Sequence, residues 1–138
     1  MTGQYEHNID AKGRLFIPAK LREELGGVFH VTMGQDHCLS IFSDESWNNF
    51  MDKLHGLPYS EVKKLRGLFA NACDCESDAQ GRILIPAKLR DYAGLTKEVV
   101  VIGSFDRVEV WNAQAWAQRE AEDRENGTLE RAMEEMGL

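Results

Sequence analysis

Two segments of the chain hold residues whose types and spacing suggest chemistry: Asp10 with Gly13 and Arg14, and Asp78 with Gly81 and Arg82. An Asp accepts hydrogen bonds from backbone N–H groups just downstream, and a Gly tolerates positive φ, so each group reads as a tight turn opening a strand. An arginine launched from such a turn offers a planar donor fork, suited to phosphate or to the O6/N7 edge of guanine. Lys12 adds a mobile positive charge to the first turn, where the second has Gln80. Lys20, Arg22, Lys88 and Arg90 follow on segments that read as short amphipathic helices. The candidate contacts for a phosphate or a base edge are therefore Lys12, Arg14, Arg82, Lys20, Arg22, Lys88 and Arg90. Asp10, Gly13, Asp78 and Gly81 are the candidate turn-orienting residues. A bland reading fits the same residues: the Asp–Arg pairs as ion pairs that only hold the turns, and the helix cations as solvated faces.

These turns belong to an internal repeat. Asp10–Arg22 reads DAKGRLFIPAKLR and Asp78–Arg90 reads DAQGRILIPAKLR, differing only at Lys12/Gln80, Leu15/Ile83 and Phe16/Leu84. The match continues more weakly. Gly26 matches Gly94, and after one extra residue in the second copy Gly34 matches Gly103, Leu39 Val108, Ile41 Val110, Phe42 Trp111 and Trp47 Trp116. The expected organisation is a first module at residues 5–47, a helical linker at 48–75, a second module at 76–119 and an acidic helical tail at 120–138.

Each module predicts strand–helix–strand–strand–helix. Arg14–Ile17 and Arg82–Ile85 read as short strands ended by Pro18 and Pro86, residues that suit the first turn of a helix and not a central ladder. Helices from Pro18 to Leu25 and from Pro86 to about Ala93 then stop at Gly26 and Gly94. Strands follow at 28–33 and 38–42, and at 99–102 and 108–111. Ser43 and Asn112 are expected N-caps of the next helices. Trp47 and Trp116 could stack on bases, but their place after a helix cap reads as core, as do Leu15, Ile17, Leu21, Ile83, Ile85 and Leu89. Ser60 is expected to cap a linker helix and Thr128 a last helix whose stripe Leu129, Ala132, Met133 and Met136 has helical spacing. That stripe reads as a surface for docking on the body or on a neighbouring subunit. Neither half has strands enough to close a sheet, so the expected fold is α+β: one interleaved β-barrel shared by two pseudo-twofold-related repeats, with peripheral helices.

The 138 residues carry a net charge of -7, which does not favour a nucleic-acid binder, because Lys and Arg supply the affinity for phosphates. Local charge differs from net charge. Residues 10–22 contain Lys12, Arg14, Lys20 and Arg22 against Asp10 alone, while the acids gather at Glu120, Glu122, Asp123, Glu125, Glu130, Glu134 and Glu135. No G-x-S-x-G, Walker loop or H-E-x-x-H appears, so no enzyme activity and no catalytic residue is expected. Cys38, Cys73 and Cys75 give an odd count without a disulfide framework and read as reduced, with Cys73 and Cys75 in or near a strand. His7, His30, His37 and His55 are scattered, and no metal or other cofactor is expected. With no run of about 18 apolar residues and no signal-like start, the expected location is the cytoplasm.

The string D-x-x-G-R-[hydrophobic]3-P-x-x-[hydrophobic]-R resembles the swapped-hairpin DNA-binding modules of the SpoVT/AbrB superfamily. Its duplication in one chain, the opening YEHNIDAKGRLFIPAKLR and the linker resemble the MraZ family over nearly the whole length. That resemblance implies a swapped-hairpin barrel and a transcriptional regulator of the division and cell-wall gene cluster, including its own promoter. It also implies a ring-shaped homo-oligomer that binds direct repeats in double-stranded promoter DNA in the cytoplasm, associated with the nucleoid, with neither membrane nor small-molecule substrate as partner. The D-x-x-x-R pairs, Asp10 with Arg14 and Asp78 with Arg82, would mark the DNA-facing surface. An antitoxin-like protein-interaction module is the alternative that the related barrels suggest.

Overall fold

A computed structural model describes residues 1–138. Strand β1 (Gln4–Asn8) leads through the Asp10 turn into β2 (Arg14–Phe16), helix α1 (Ala19–Leu25), β3 (Phe29–Met33), β4 (Leu39–Ser43) and α2 (Asp44–His55). The linker folds as α3 (Tyr59–Val62), a 3-10 turn at Lys63–Leu65 and α4 (Arg66–Ala70). The second repeat gives β5 (Cys73–Cys75), β6 (Arg82–Leu84), α5 (Ala87–Ala93), β7 (Glu98–Ser104), β8 (Arg107–Asn112) and α6 (Ala113–Glu125), and the tail ends in α7 (Thr128–Glu135). Each module thus has the expected core order, with a leading strand, β1 or β5, ahead of its turn; β5 lies at the end of residues 48–75, where a helical linker was expected, because it pairs with β3 of the first repeat.

The local signals act as their chemistry requires. Pro18 and Pro86 take the N-cap positions of α1 and α5, where a missing N–H costs nothing. Ser43 Oγ accepts from Ser46 N at 3.1 Å and Asn112 Oδ1 from Ala115 N at 3.0 Å, so both expected caps form. Two others do not. α3 begins after Pro58 with Ser60 inside it, and α7 is preceded by Gly127 in the left-handed region, with Thr128 its first residue and no side-chain cap.

All strand pairs are antiparallel, and the repeats trade strands. The large sheet runs β1-β7-β8-β4-β3-β5, so β1 of the first repeat lies on the β7–β8 hairpin of the second. In return, β5 of the second repeat lies on the β3–β4 hairpin of the first. β4 and β8 join the halves, with Leu39 opposite Val110 and Ile41 opposite Val108. The short motif strands form a separate ribbon, with Arg14 opposite Leu84, Leu15 opposite Ile83 and Phe16 opposite Arg82. Both registers are symmetric under exchange of the repeats. The strands do not close into a hydrogen-bonded barrel: β1 and β5 are edges of an open sheet, and the ribbon stands apart from it. The prolines end each motif strand after three ladder residues.

One core of 18 residues lies between the sheet, the ribbon, α1 and α5, with nine residues from each repeat, so neither half owns an interior. Leu15, Ile17, Leu21, Ile83, Ile85 and Leu89 are all in it. Trp47 and Trp116 are not. They are half-buried, Trp47 against Phe42 and Phe50 and Trp116 against Trp111, because the helices that carry them cover the sheet away from the shared core. The α7 stripe stays open, with Leu129 67% and Met136 70% exposed, so it does not dock on the body of its own chain. Because the core is shared, Ile83→Ala should destabilise the protein by ~2–5 kcal/mol. Denaturant unfolding followed separately at Trp47 and Trp116 should still give one coincident transition; two separated transitions would show that the repeats fold independently.

Candidate nucleic-acid interface

The two turns are built alike, atom for atom. In the first, Asp10 Oδ1 accepts from the backbone N–H of Lys12 at 3.0 Å and of Arg14 at 2.9 Å, and Oδ2 accepts from Arg14 Nε at 2.7 Å. In the second, Asp78 Oδ1 accepts from Gln80 N and Arg82 N, both at 2.9 Å, and Oδ2 from Arg82 Nε at 3.0 Å. The backbone N–H groups of Arg14 and Arg82 lead in holding the two carboxyls below their ordinary value, against the cost of desolvation. A depressed carboxylate pKa gives stability that is present above the ordinary value and lost as pH falls through the folded one, so both turns loosen only in acid.

Binding Nε to the aspartate fixes each arginine side chain at its inner edge. The Nη groups of Arg14 have no protein partner, while Arg82 Nη2 donates to Gln80 Oε1 at 2.6 Å. The first turn therefore offers a freer fork together with Lys12, and the second a fork partly engaged by Gln80.

Ribbon pairing then brings the two arginines to one surface. Partners across an antiparallel ladder point to the same side, and alternate residues of a strand share a face. Leu15 and Ile83 face the core, so Arg14, Phe16, Arg82 and Leu84 share the outer face of the ribbon. Phe16 and Leu84 are the residues of this outer face that sequence reasoning placed only as strand formers. The alternation in Arg-Leu-Phe and Arg-Ile-Leu was the available signal. Leu84 is 60% exposed, whereas Phe16 is partly covered by His7 and by the Arg22 guanidinium 5.4 Å from its ring centre.

Arg22 and Arg90 sit differently from the other cations, each half-buried against the opposite repeat. Arg22 Nε donates to Ile17 O at 2.7 Å, and its guanidinium lies on Gly81; Arg90 lies on Gly13, with its Nε buried and without a partner. Gly13 has φ 85° and Gly81 φ 79°, and a Cβ would stand 2.9 Å from Arg90 Cζ at the first and 2.8 Å from Arg22 Cζ at the second. These glycines thus serve both the turn and the close approach of an arginine from the other repeat. Lys20 and Lys88 are exposed on α1 and α5, and Lys20 Nζ reaches Thr2 Oγ1 at 3.3 Å. The structure gathers Arg14 and Arg82 on the ribbon with Lys12 at a turn tip, sets Arg22 and Arg90 into the seam, and leaves Lys20 and Lys88 on the helices.

The family model described as "MraZ protein, putative antitoxin-like" matches residues 1–66 and again 68–136. A Carboxydothermus hydrogenoformans protein named transcriptional regulator MraZ is 49% identical over 83% of this chain and 82% of its own length. Proteins of the same name from Caldicellulosiruptor bescii and Acetivibrio thermocellus are 43% and 45% identical, covering 100% and 99% of this chain and 99% and 96% of their own. With both halves matched by the model and full-length relatives aligned end to end, this chain belongs to the MraZ family.

Proposed function

We propose that this chain is a sequence-specific transcriptional regulator that reads double-stranded promoter DNA with the outer face of the β2–β6 ribbon and its two turns. The observation that carries this reading is the pair Arg14 and Arg82, presented together on one ribbon, each held by an aspartate at Nε. A two-stranded ribbon is narrow enough for the major groove, and an anchored fork loses less freedom on pairing with guanine or phosphate. The names of the relatives support a regulator. In this reading residues 5–47 and 76–119 are the two DNA-binding modules, sharing one core in the manner of a swapped-hairpin barrel. Lys20 and Lys88 add peripheral phosphate contacts, and Arg22 and Arg90 act mainly by holding the turns.

One module presents few positive groups on a chain of net charge -7. Useful affinity then requires several copies, and a ring-shaped homo-oligomer reading direct repeats supplies it through effective concentration. The targets we assign are promoters of the division and cell-wall gene cluster, the chain's own among them. An antitoxin-like interaction module is a second reading, favoured by the open α7 stripe of Leu129, Met133 and Met136. Copurification of one stoichiometric basic protein, with no DNA affinity, would favour it.

Two measurements test the DNA reading. Arg14→Ala should weaken binding to DNA from upstream of its own gene by ~1–3 kcal/mol per site, with assembly unchanged by light scattering. Arg82→Ala should cost less, because Gln80 already engages that fork. Wild-type affinity for Arg14→Ala would make the turn purely structural. Asp10→Asn removes a negative charge beside the DNA, so a spectator role for Asp10 predicts tighter binding. An orienting role predicts weaker binding, which is the expected result of a filter-binding or anisotropy titration at several salt concentrations.

A further inference from the structure

Away from the interface, one pair of side chains has a chemically specific spacing. Cys73 and Cys75 are the two ends of β5 and share a face, since one residue separates them. Their Sγ atoms are 3.7 Å apart, and Cys75 Sγ lies 3.9 Å from the Leu84 carbonyl oxygen. β5 is an edge strand, held by β3 on one side alone, where Phe29 faces Cys75 and Val31 faces Cys73. Both cysteines are free and half-buried. The hydrogen bond from Cys75 lowers the Cys73 thiol to about 7 despite burial and raises Cys75 in return. Thiolate is the attacking form of sulfur, and the best attacking thiol has a pKa near ambient pH. Cys38 is the internal contrast: it has no second sulfur beside it, its Sγ donates to Gln35 O at 3.1 Å, and burial pushes it up to about 12.

We propose that Cys73 and Cys75 form a reversible dithiol–disulfide site whose substrates are low-molecular-weight disulfides. The Cys73 thiolate attacks one sulfur of RS–SR, forming Cys73–S–SR and releasing RS⁻. Cys75 Sγ then attacks the Cys73 sulfur and expels the second RS⁻, and the protons of the two cysteines end on the released thiols. Two cysteine thiols are oxidised to one disulfide, and one RS–SR is reduced to two RSH. Alternate residues of a strand lie about 6.6 Å apart at Cα, from a rise of about 3.3 Å per residue. That is near the upper limit of ~6.8 Å for a disulfide, so the pleat must deepen as the bond forms. An edge strand of three residues with one neighbour can deform in this way. A disulfide closed under strain is readily reduced, which makes the site reversible.

The test is intact-mass and peptide mapping of the folded full chain equilibrated with glutathione disulfide and reduced glutathione at a series of ratios. The expected result is loss of two hydrogens, mapped to the peptide holding Cys73 and Cys75 and reversed by excess reduced glutathione. Cys75→Ser should instead keep one glutathionyl group on Cys73, and Cys38→Ser should behave as wild type. A glutathionyl group that persists on wild-type Cys73, a disulfide that uses Cys38 or a second chain, or no change at any ratio would overturn the proposal.

Discussion

The antiparallel pairing of β2 with β6 is the contact on which the remainder depends. Each motif strand is three residues long, and alone it would leave its backbone groups without partners. Pairing satisfies them and seals Leu15 and Ile83 over the core. Two further bonds cross the seam reciprocally: Ile17 N–H donates to Gly81 O at 3.0 Å, and Ile85 N–H to Gly13 O at 2.8 Å. The strand exchange in the large sheet follows the same logic. Each repeat lends its first strand to the other's hairpin, so the outer edges of β7 and β3 are paired only when both repeats are present.

This constraint couples turn geometry to packing. Gly13 ends its turn against Arg90, and Gly81 against Arg22, so the arginine of each helix supports the turn of the other repeat. The arrangement is not perfectly symmetric. Arg22 has Ile17 O as a partner and Phe16 beneath it, while Arg90 Nε is buried and unpaired, and Leu84 stands where Phe16 stands in the first repeat. Combined with Lys12 against Gln80, the first turn has the larger supply of positive donors. Under the proposed function, two modules of unequal strength share one surface.

Much of the local structure could be read from residue types. The Asp–Gly–Arg turns, the proline-started helices, the glycine stops and the Ser43 and Asn112 caps each depend on a few neighbouring residues with one dominant conformation. Ser60 and Thr128 were misread for a local reason too: a proline and a left-handed glycine at nearby positions took over the helix starts. The tryptophans were misplaced because a position just after a helix cap tells that a side chain turns back on the sheet, not which of the sheet's two faces it meets.

What the sequence determined by itself is the duplicated unit, its turn chemistry and the apolar face of each element, because these follow from short-range sterics and hydrogen bonding. Only the tertiary structure decided how the units meet. It set β1 on β7 and β5 on β3, left the sheet open, joined the motif strands into one ribbon, and turned Arg22 and Arg90 inward against glycines of the other repeat. The physical reason is that strand partners and seam contacts are chosen by the shared burial of a core that neither repeat contains alone. That is a sum over distant residues, which no local pattern encodes.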